Sequence, residues 1–381
     1  MQALNNPIWL MSSAFDNLTL PELISRAQNI GVQGIDLCVF RRDGTRQDHV
    51  ATHLDYEHFT LDDARRILAT FNEAGLKLSV GAFENLIGGP EAERRKNQDH
   101  LLRLIRIAHL LGGDANDVKV GTFVGYNHEL GNQEGGFQKN LEEYARVFNP
   151  IIKYAEDLGV TVLYENCPME GWRPATYTTT FNNLTGVLAA RKLMYALIPS
   201  RAHGEIYDPS HDVWQHVDPV AVIQETDFSR LHRIHVKATR NLQNRVRAHW
   251  GSMYPMQAVD KTLAEKAGVP VPAHDWDRHN YEAMVPGFGG SDSMDWRAFV
   301  DVIKAKGFTG PFEIENEAKN SKDTHNLEAI TQGFKGAVYS LMPMLWPLGP
   351  NGYQYDQSRQ EPLREIATKD IPVVTMAELG L

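Results

Sequence analysis

Only two cysteines, Cys38 and Cys167, occur in 381 residues. Two thiols cannot form a disulfide framework or a zinc-finger spacing. No stretch reaches the roughly 18 apolar residues that a membrane-spanning helix needs, so no membrane partner is expected. Basic residues are in deficit: 38 Lys and Arg stand against 48 Asp and Glu, a net charge of -10. That sign argues against nucleic acid as a partner, which requires a basic footprint. The first ten residues have no positive n-region and no long apolar run, so no secretory signal is expected. A reducing cytoplasm is the expected compartment, with a periplasmic route through a removed leader left open. A glycine-rich phosphate loop is missing too. The first apolar run, Ile8 to Met11, leads into Ser12, Ser13, Ala14 and Phe15. The densest glycine cluster, Gly287, Gly289 and Gly290, comes late and follows no strand. Both facts weigh against a doubly wound open sheet.

What the chain does have is 42% hydrophobic residues, enough for a substantial core, and a recurring unit. A helical pattern ends at Gly and a short β-branched strand follows. The pattern Leu23 to Ile30 stops at Gly31 before Ile35 to Val39, and Ala64 to Ala74 stops at Gly75 before Leu78 to Val80. Leu101 to Leu111 stops at Gly112 before Val118 to Val120, and Leu141 to Leu158 stops at Gly159 before Val160 to Tyr164. Phe299 to Lys306 stops at Gly307 before Phe312 to Ile314. Glycine suits the left-handed residue that closes many helices. Helix-strand alternation implies a parallel sheet with right-handed crossovers. With Ile8 to Met11, Glu205 to Tyr207 and Arg233 to Val236 the strands number eight, which predicts a (β/α)8 TIM barrel. The barrel is expected over residues 1–344. Residues 238–293 form a long insertion after strand 7, and 345–381 a C-terminal arm. The insertion, with Trp250, Tyr254, His274, Trp276 and His279, is read as a lid or a subunit contact, and a homo-oligomer is expected.

Four polar residues close four of these runs: Glu165, Asp208, His235 and Glu315. In a closed barrel, strand ends distant in sequence converge on one cavity. Three carboxylates and an imidazole meeting there call for a divalent cation. Each residue alone has an ordinary reading. Glu165 could pair with a rim cation, and Asp208 could cap the helix that Pro209 starts. His235 could be a hydrogen-bonded core residue. Alternation puts Glu313, Glu315 and Glu317 on one side, and Glu315 is preferred for its place at the strand end. One nitrogen and several carboxylate oxygens suit Mn²⁺, with Mg²⁺, Co²⁺ or Zn²⁺ as alternatives. Cys167 is a thiol within reach of the same rim, or a small packed residue.

These residues carry a resemblance. Glu165-Asn166, Asp208-Pro209-Ser210-His211, His235-Val236-Lys237 and Glu313-Ile314-Glu315 resemble, in order and spacing, the sugar phosphate isomerase/epimerase superfamily, the xylose-isomerase-like TIM barrels. Val285-Pro286-Gly287-Phe288-Gly289 before Asp295-Trp296 is similar to that family's PGxG turn. The resemblance implies that Glu165, Asp208, His235 and Glu315 are the metal ligands and that the two Glu residues act as acid and base. It implies that His211 hydrogen-bonds a substrate oxygen and that Lys237 and Arg240 are basic substrate contacts. The acid that usually follows that Lys is replaced by Ala238.

The expected function is metal-dependent isomerisation or epimerisation of a sugar or keto-sugar. A divalent ion chelated by adjacent hydroxyl and carbonyl oxygens makes the carbon-bound proton acidic by stabilising an enediolate. A neighbouring Glu then removes that proton. Loss of a β-substituent would give a lyase or dehydratase instead, of the inosose-dehydratase or 3-keto-glycoside-cleaving kind. An apurinic-endonuclease-like hydrolase is disfavoured by the charge, and a non-enzymatic sugar-binding barrel by the four intact ligand positions. Trp9, Phe15, Phe40, Phe83, Tyr126, Trp172 and Trp214 stand near strand ends, where aromatics either stack on sugar faces or fill the core. Of these, Trp172 and Trp214 are expected to bind substrate.

Overall fold

A computed structural model describes residues 4–44, 51–169, 172, 182–242, 248–249, 260–270, 281–284, 286, 293–318 and 326–381. Its centre is a closed barrel of eight parallel strands. They are β1 (Ile8–Met11), β2 (Gly34–Cys38), β3 (Lys77–Gly81), β4 (Val120–Thr122), β5 (Val162–Glu165), β6 (His203–Tyr207) and β7 (Leu231–Val236). An antiparallel pair, β8 (Ala238–Asn241) with β9 (Tyr281–Met284), follows in sequence. The last barrel strand, β10 (Phe312–Ile314), then closes the ring between β1 and β7. A helix follows each strand, from Leu20–Ile30 after β1 to Leu327–Leu345 after β10.

Local sequence explains the helix limits. Thr19 with Glu22, and Thr60 with Asp63, form capping boxes that satisfy orphan amides at the first turn. Gly31 and Gly75 end those helices at φ of 89° and 68°, backbone that a β-carbon disfavours. The expected fourth strand, Val118 to Val120, starts two residues late. Asp117 sits at φ 60° and the Val118 amide donates back to Gly113, so the chain is still turning there.

Alternation along the strands decides what fills the barrel. Arg233, His235 and Lys237 on and just beyond β7, and Glu313 and Glu315 on and just beyond β10, alternate with apolar Ile234, Val236, Phe312 and Ile314. The register pairs Glu313 with His235, so the two polar rows run side by side. Lower in the barrel, Trp9 lies across Gly34, where a β-carbon would come 2.4 Å from the indole Cε2. The usual layers of branched aliphatic side chains are thus partly replaced by buried charge. A further buried ion pair, Arg191 to Glu205 at 3.3 Å, lies between β6 and the helix Leu188–Leu197.

Beyond Leu345 the chain runs as an arm across the barrel's helices. Three asparagines receive it, each donating to and accepting from arm backbone. Asn5 pairs with Asp356 (3.1 and 2.8 Å), Asn72 with Leu363 (2.8 and 2.7 Å) and Asn116 with Arg364 (2.8 and 2.9 Å). Leu363 and Met376 add buried apolar anchors.

Candidate metal centre

Four elements deliver four ligand atoms to one place. Glu165 is the last residue of β5, and Asp208 directly follows β6. His235 lies inside β7, one residue before its end, rather than closing it. Glu315 directly follows β10, with its amide donating to the Val236 carbonyl at 3.2 Å. One ligand atom from each lies within 4.8 Å of the others, and all four residues are buried. Asp208 also caps the helix Pro209–Trp214: its Oδ1 accepts from the Ser210 amide at 2.8 Å, which leaves Oδ2 for the cavity. Capping therefore occupies one Asp208 oxygen and leaves the other turned to the quartet. Asn166 ties the two strand ends. Its Oδ1 accepts from the Asp208 amide at 2.7 Å and its Nδ2 donates to the Asp208 carbonyl at 2.9 Å.

The electrostatics show a site short of positive charge. His235 Nδ1 lies 3.1 Å from Glu165 Oε1 and 3.6 Å from Glu315 Oε2. His211 Nε2 lies 3.1 Å from Glu165 Oε1 and 3.2 Å from Asp208 Oδ2. Lys237 Nζ reaches Glu315 at 2.7 Å, Glu317 at 3.0 Å and Asp208 Oδ2 at 3.3 Å. Burial alone would strip the charge from His235 and Lys237, but the surrounding carboxylates outweigh it, and both are raised well above their ordinary values. Burial opposes ionisation of Glu165 as well, yet the two imidazoles hold it well below the usual carboxylate range. Glu315 goes the other way. Burial raises it, Lys237 pulls it down, Glu317 and Glu165 push it up, and it settles at about 7.

A divalent ion fits this donor set. Asp208 Oδ2 is buried and accepts no hydrogen bond, although two cationic nitrogens stand within 3.3 Å. A buried carboxylate oxygen left without a hydrogen bond is costly, and coordination would satisfy it. Three carboxylates and one imidazole nitrogen are a hard, oxygen-rich set. Cys167 stays outside it, buried beside His211 with its sulfur 3.3 Å from Met169 Sδ.

The other residues expected at the site divide. His211 and Lys237 join the quartet directly. Trp214 is buried behind them: Tyr281 of β9 stacks on it at 3.8 Å, His211 meets it edge-on at 4.3 Å, and Lys237 Nζ lies 5.2 Å from the ring. Its indole N–H donates to Thr239 Oγ1 at 2.6 Å. These contacts make it a wall that fixes His211 and Lys237. Arg240 is on the β8–β9 pair, its guanidinium against Glu282. Trp172 packs edge-on against Phe123 at 5.6 Å. Trp9, Phe15, Phe40, Phe83 and Tyr126 are all buried. The insertion residues Trp250, Tyr254, His274, Trp276 and His279 and the turn glycines Gly287, Gly289 and Gly290 lie outside the described residues.

Sequence reasoning weighed Glu313 but preferred Glu315, and it did not single out Asp36 or Arg233. Asp36, Arg233 and Glu313 form a second charged layer below the quartet, where Asp36, His235 and Glu313 again bring ligand-type atoms within 4.8 Å. Arg233 Nε lies 3.0 Å from Glu313 Oε1. Stepping back by two from His235, as from Glu315, would have found Arg233, because strand neighbours at that spacing share a face.

The xylose isomerase-like TIM barrel family profile matches residues 24–335. No curated protein sequence matches the chain. Among solved structures, a D-psicose 3-epimerase in the presence of D-fructose is similar with a TM-score of 0.57 at 11% identity, covering 89% of this chain and 99% of that one. The IOLI protein with a binding zinc atom has a TM-score of 0.57 at 13% identity, covering 89% and 98%. AsbF from Bacillus anthracis, a probable 3-DHS dehydratase involved in petrobactin synthesis, has a TM-score of 0.54 at 16% identity, covering 86% and 98%. At these identities the likeness speaks for the fold.

Proposed function

Because the chain belongs to the xylose isomerase-like TIM barrel family, we propose that it is a divalent-metal-dependent enzyme that moves a proton next to a carbonyl of a sugar or keto-sugar, as an isomerase or epimerase. The observation that carries this reading is the convergence of Glu165, Asp208, His235 and Glu315, with Asp208 Oδ2 buried near two cations but accepting no hydrogen bond. Those four residues would hold the ion, with Mn²⁺ the best match and Mg²⁺, Co²⁺ or Zn²⁺ the alternatives. When bound, the ion supplies Lewis acidity toward adjacent substrate oxygens.

The chain's own residues then have distinct parts. Glu315, raised to about 7, can hold or release a proton near neutral pH, the property wanted in a general acid or base. Glu165 stays ionised between two imidazoles and is the second acid-base candidate. Lys237, kept as an ammonium by three carboxylates, places a fixed positive charge where a substrate oxygen gains negative charge. His211, braced by Trp214, presents an N–H to the same region. Arg240 and Trp172 complete the proposed substrate contacts.

The decisive experiment has two stages. Elemental analysis of the purified protein should find about one divalent ion per chain. NMR of neutral ketoses and keto-sugars in D₂O should then show deuterium entering beside the carbonyl. A protein that takes up no ion defeats the metal reading. One that is loaded yet exchanges no such proton defeats the carbohydrate reading. Exchange accompanied by loss of water would move the chain to the dehydratases while keeping the same proton abstraction.

A further inference from the structure

We propose that Glu313 is a positioning residue: it accepts a hydrogen bond from the Nε2–H of His235 and so commits Nδ1 to the metal. The inference rests on the metal reading above and concerns how the one nitrogen ligand is aimed. His235 Nδ1 faces Glu165 and Glu315, on the metal side. Its Nε2 points the other way, down the barrel, and is buried without a well-formed hydrogen bond. The nearest carboxylate oxygen is Glu313 Oε2, at 3.4 Å. Both Glu313 oxygens are likewise buried without a well-formed hydrogen bond. A buried donor and a buried acceptor facing each other satisfy one another at small displacement, and each is costly if left alone.

Asp36 is the rival acceptor. It shares the cluster, but only within 4.8 Å, and it forms no ion pair with His235 among the described residues. The β10–β7 register favours Glu313, because it sets Glu313 and His235 side by side on neighbouring strands.

Glu313 is itself held. Arg233 Nε lies 3.0 Å from its Oε1, and Arg233 is anchored elsewhere. One Nη2 contact goes to the Asp117 carbonyl at 2.8 Å and another to the Asp117 carboxylate at 3.0 Å. The guanidinium carbon sits 4.8 Å from the Trp9 ring centroid. A chain of contacts therefore runs from Asp117 at the bottom of the barrel through Arg233 and Glu313 to His235. A carboxylate on the far nitrogen fixes the tautomer and makes the near nitrogen a stronger donor.

The test uses the full-length protein, ¹⁵N-labelled at histidine and loaded with Zn²⁺, alongside Glu313→Gln. In the wild type, NMR should show His235 bound through Nδ1, with Nε2 protonated and its proton shifted far downfield. In Glu313→Gln that proton should move upfield, and Co²⁺ affinity, followed by the visible absorption of the loaded protein, should fall by about 10- to 100-fold. Thermal unfolding of the metal-free variant controls for the fold. Binding through Nε2 in the wild type would overturn the proposal, and that measurement needs no variant. Unchanged Co²⁺ affinity in a folded Glu313→Gln protein would overturn it too, leaving Glu313 a purely structural residue. A wild type that binds neither Zn²⁺ nor Co²⁺ would instead remove the metal reading, and this inference with it.

Discussion

The upper layer of the barrel interior, with Glu165, Asp208, His235 and Glu315, and the lower layer, with Asp36, Arg233 and Glu313, are both built of buried charge. They differ in how it is balanced. Below, the balancing cation is a guanidinium, permanently charged and pinned between Glu313 and Asp117. Above, part of it is exchangeable: the protons on His235 and His211, beside the retained ammonium of Lys237. Exchangeable charge can be replaced by a divalent ion, whereas the lower layer cannot give its cation up. On the proposed reading, the contrast separates two roles, receiving an ion and holding the receiver in place.

Several changes would break or sharpen that contrast. The largest effect is expected from Glu315→Gln. It should lower turnover by about 10³-fold, within the range of general acid-base catalysis, while near-UV circular dichroism stays native. Full activity would remove Glu315 from the chemistry. Next comes Arg233→Met, which leaves buried carboxylates uncompensated and should cost about 3–5 kcal/mol in urea unfolding. Adding Glu313→Leu should recover most of that stability but not the metal affinity. If Arg233→Met is neutral, the lower layer is not a fixed ionic frame.

Asp208→Asn tests the upper layer more gently. Asparagine is as good a helix cap as aspartate, so the helix Pro209–Trp214 should persist. Losing the anionic ligand should still weaken Mn²⁺ binding by about 100-fold or more, beyond the 10- to 100-fold span of outer contacts. Calorimetric titration would measure it, and unchanged affinity would take Asp208 out of the ligand set.

The smallest effect is on pH dependence. Glu315 and Asp36 are both raised to about 7, in each case by burial first and nearby carboxylates second. The unfolded chain releases these protons near pH 4. Their stabilisation of the metal-free fold is therefore complete below that pH and lost as pH climbs through about 7. The urea midpoint of metal-free protein should fall between pH 5 and 7.5. Metal-loaded protein, whose ligands must be deprotonated, should show the opposite slope. Parallel slopes would contradict the exchange of protons for an ion.

Much of this was legible in the sequence for a physical reason. Helix stops at glycine and short β-branched runs are local signals, so the eight strands and the polar residues at their ends could be read directly. His235 sits inside its strand because the ladder runs one residue past it, where Val236 pairs with Ile314 of β10. What was not legible depends on distant partners. Tyr281, far along the chain, stacks on one face of Trp214, a contact that no local pattern announces. The weight of Asp36 and Arg233 appears only when the closed barrel turns β2, β7 and β10 toward a common axis.

Asn166 has a consequence of its own. Its amide imitates a peptide group and adds one more rung to the β5–β6 ladder just where two of the ligands leave it. Glu165 and Asp208 are thereby kept from spreading, and on the proposed metal reading their separation would gauge ionic radius. Ca²⁺, which needs more oxygens at longer distances than Mn²⁺, should be turned away by the native chain. It should be admitted more readily when Asn166→Ala removes the rung.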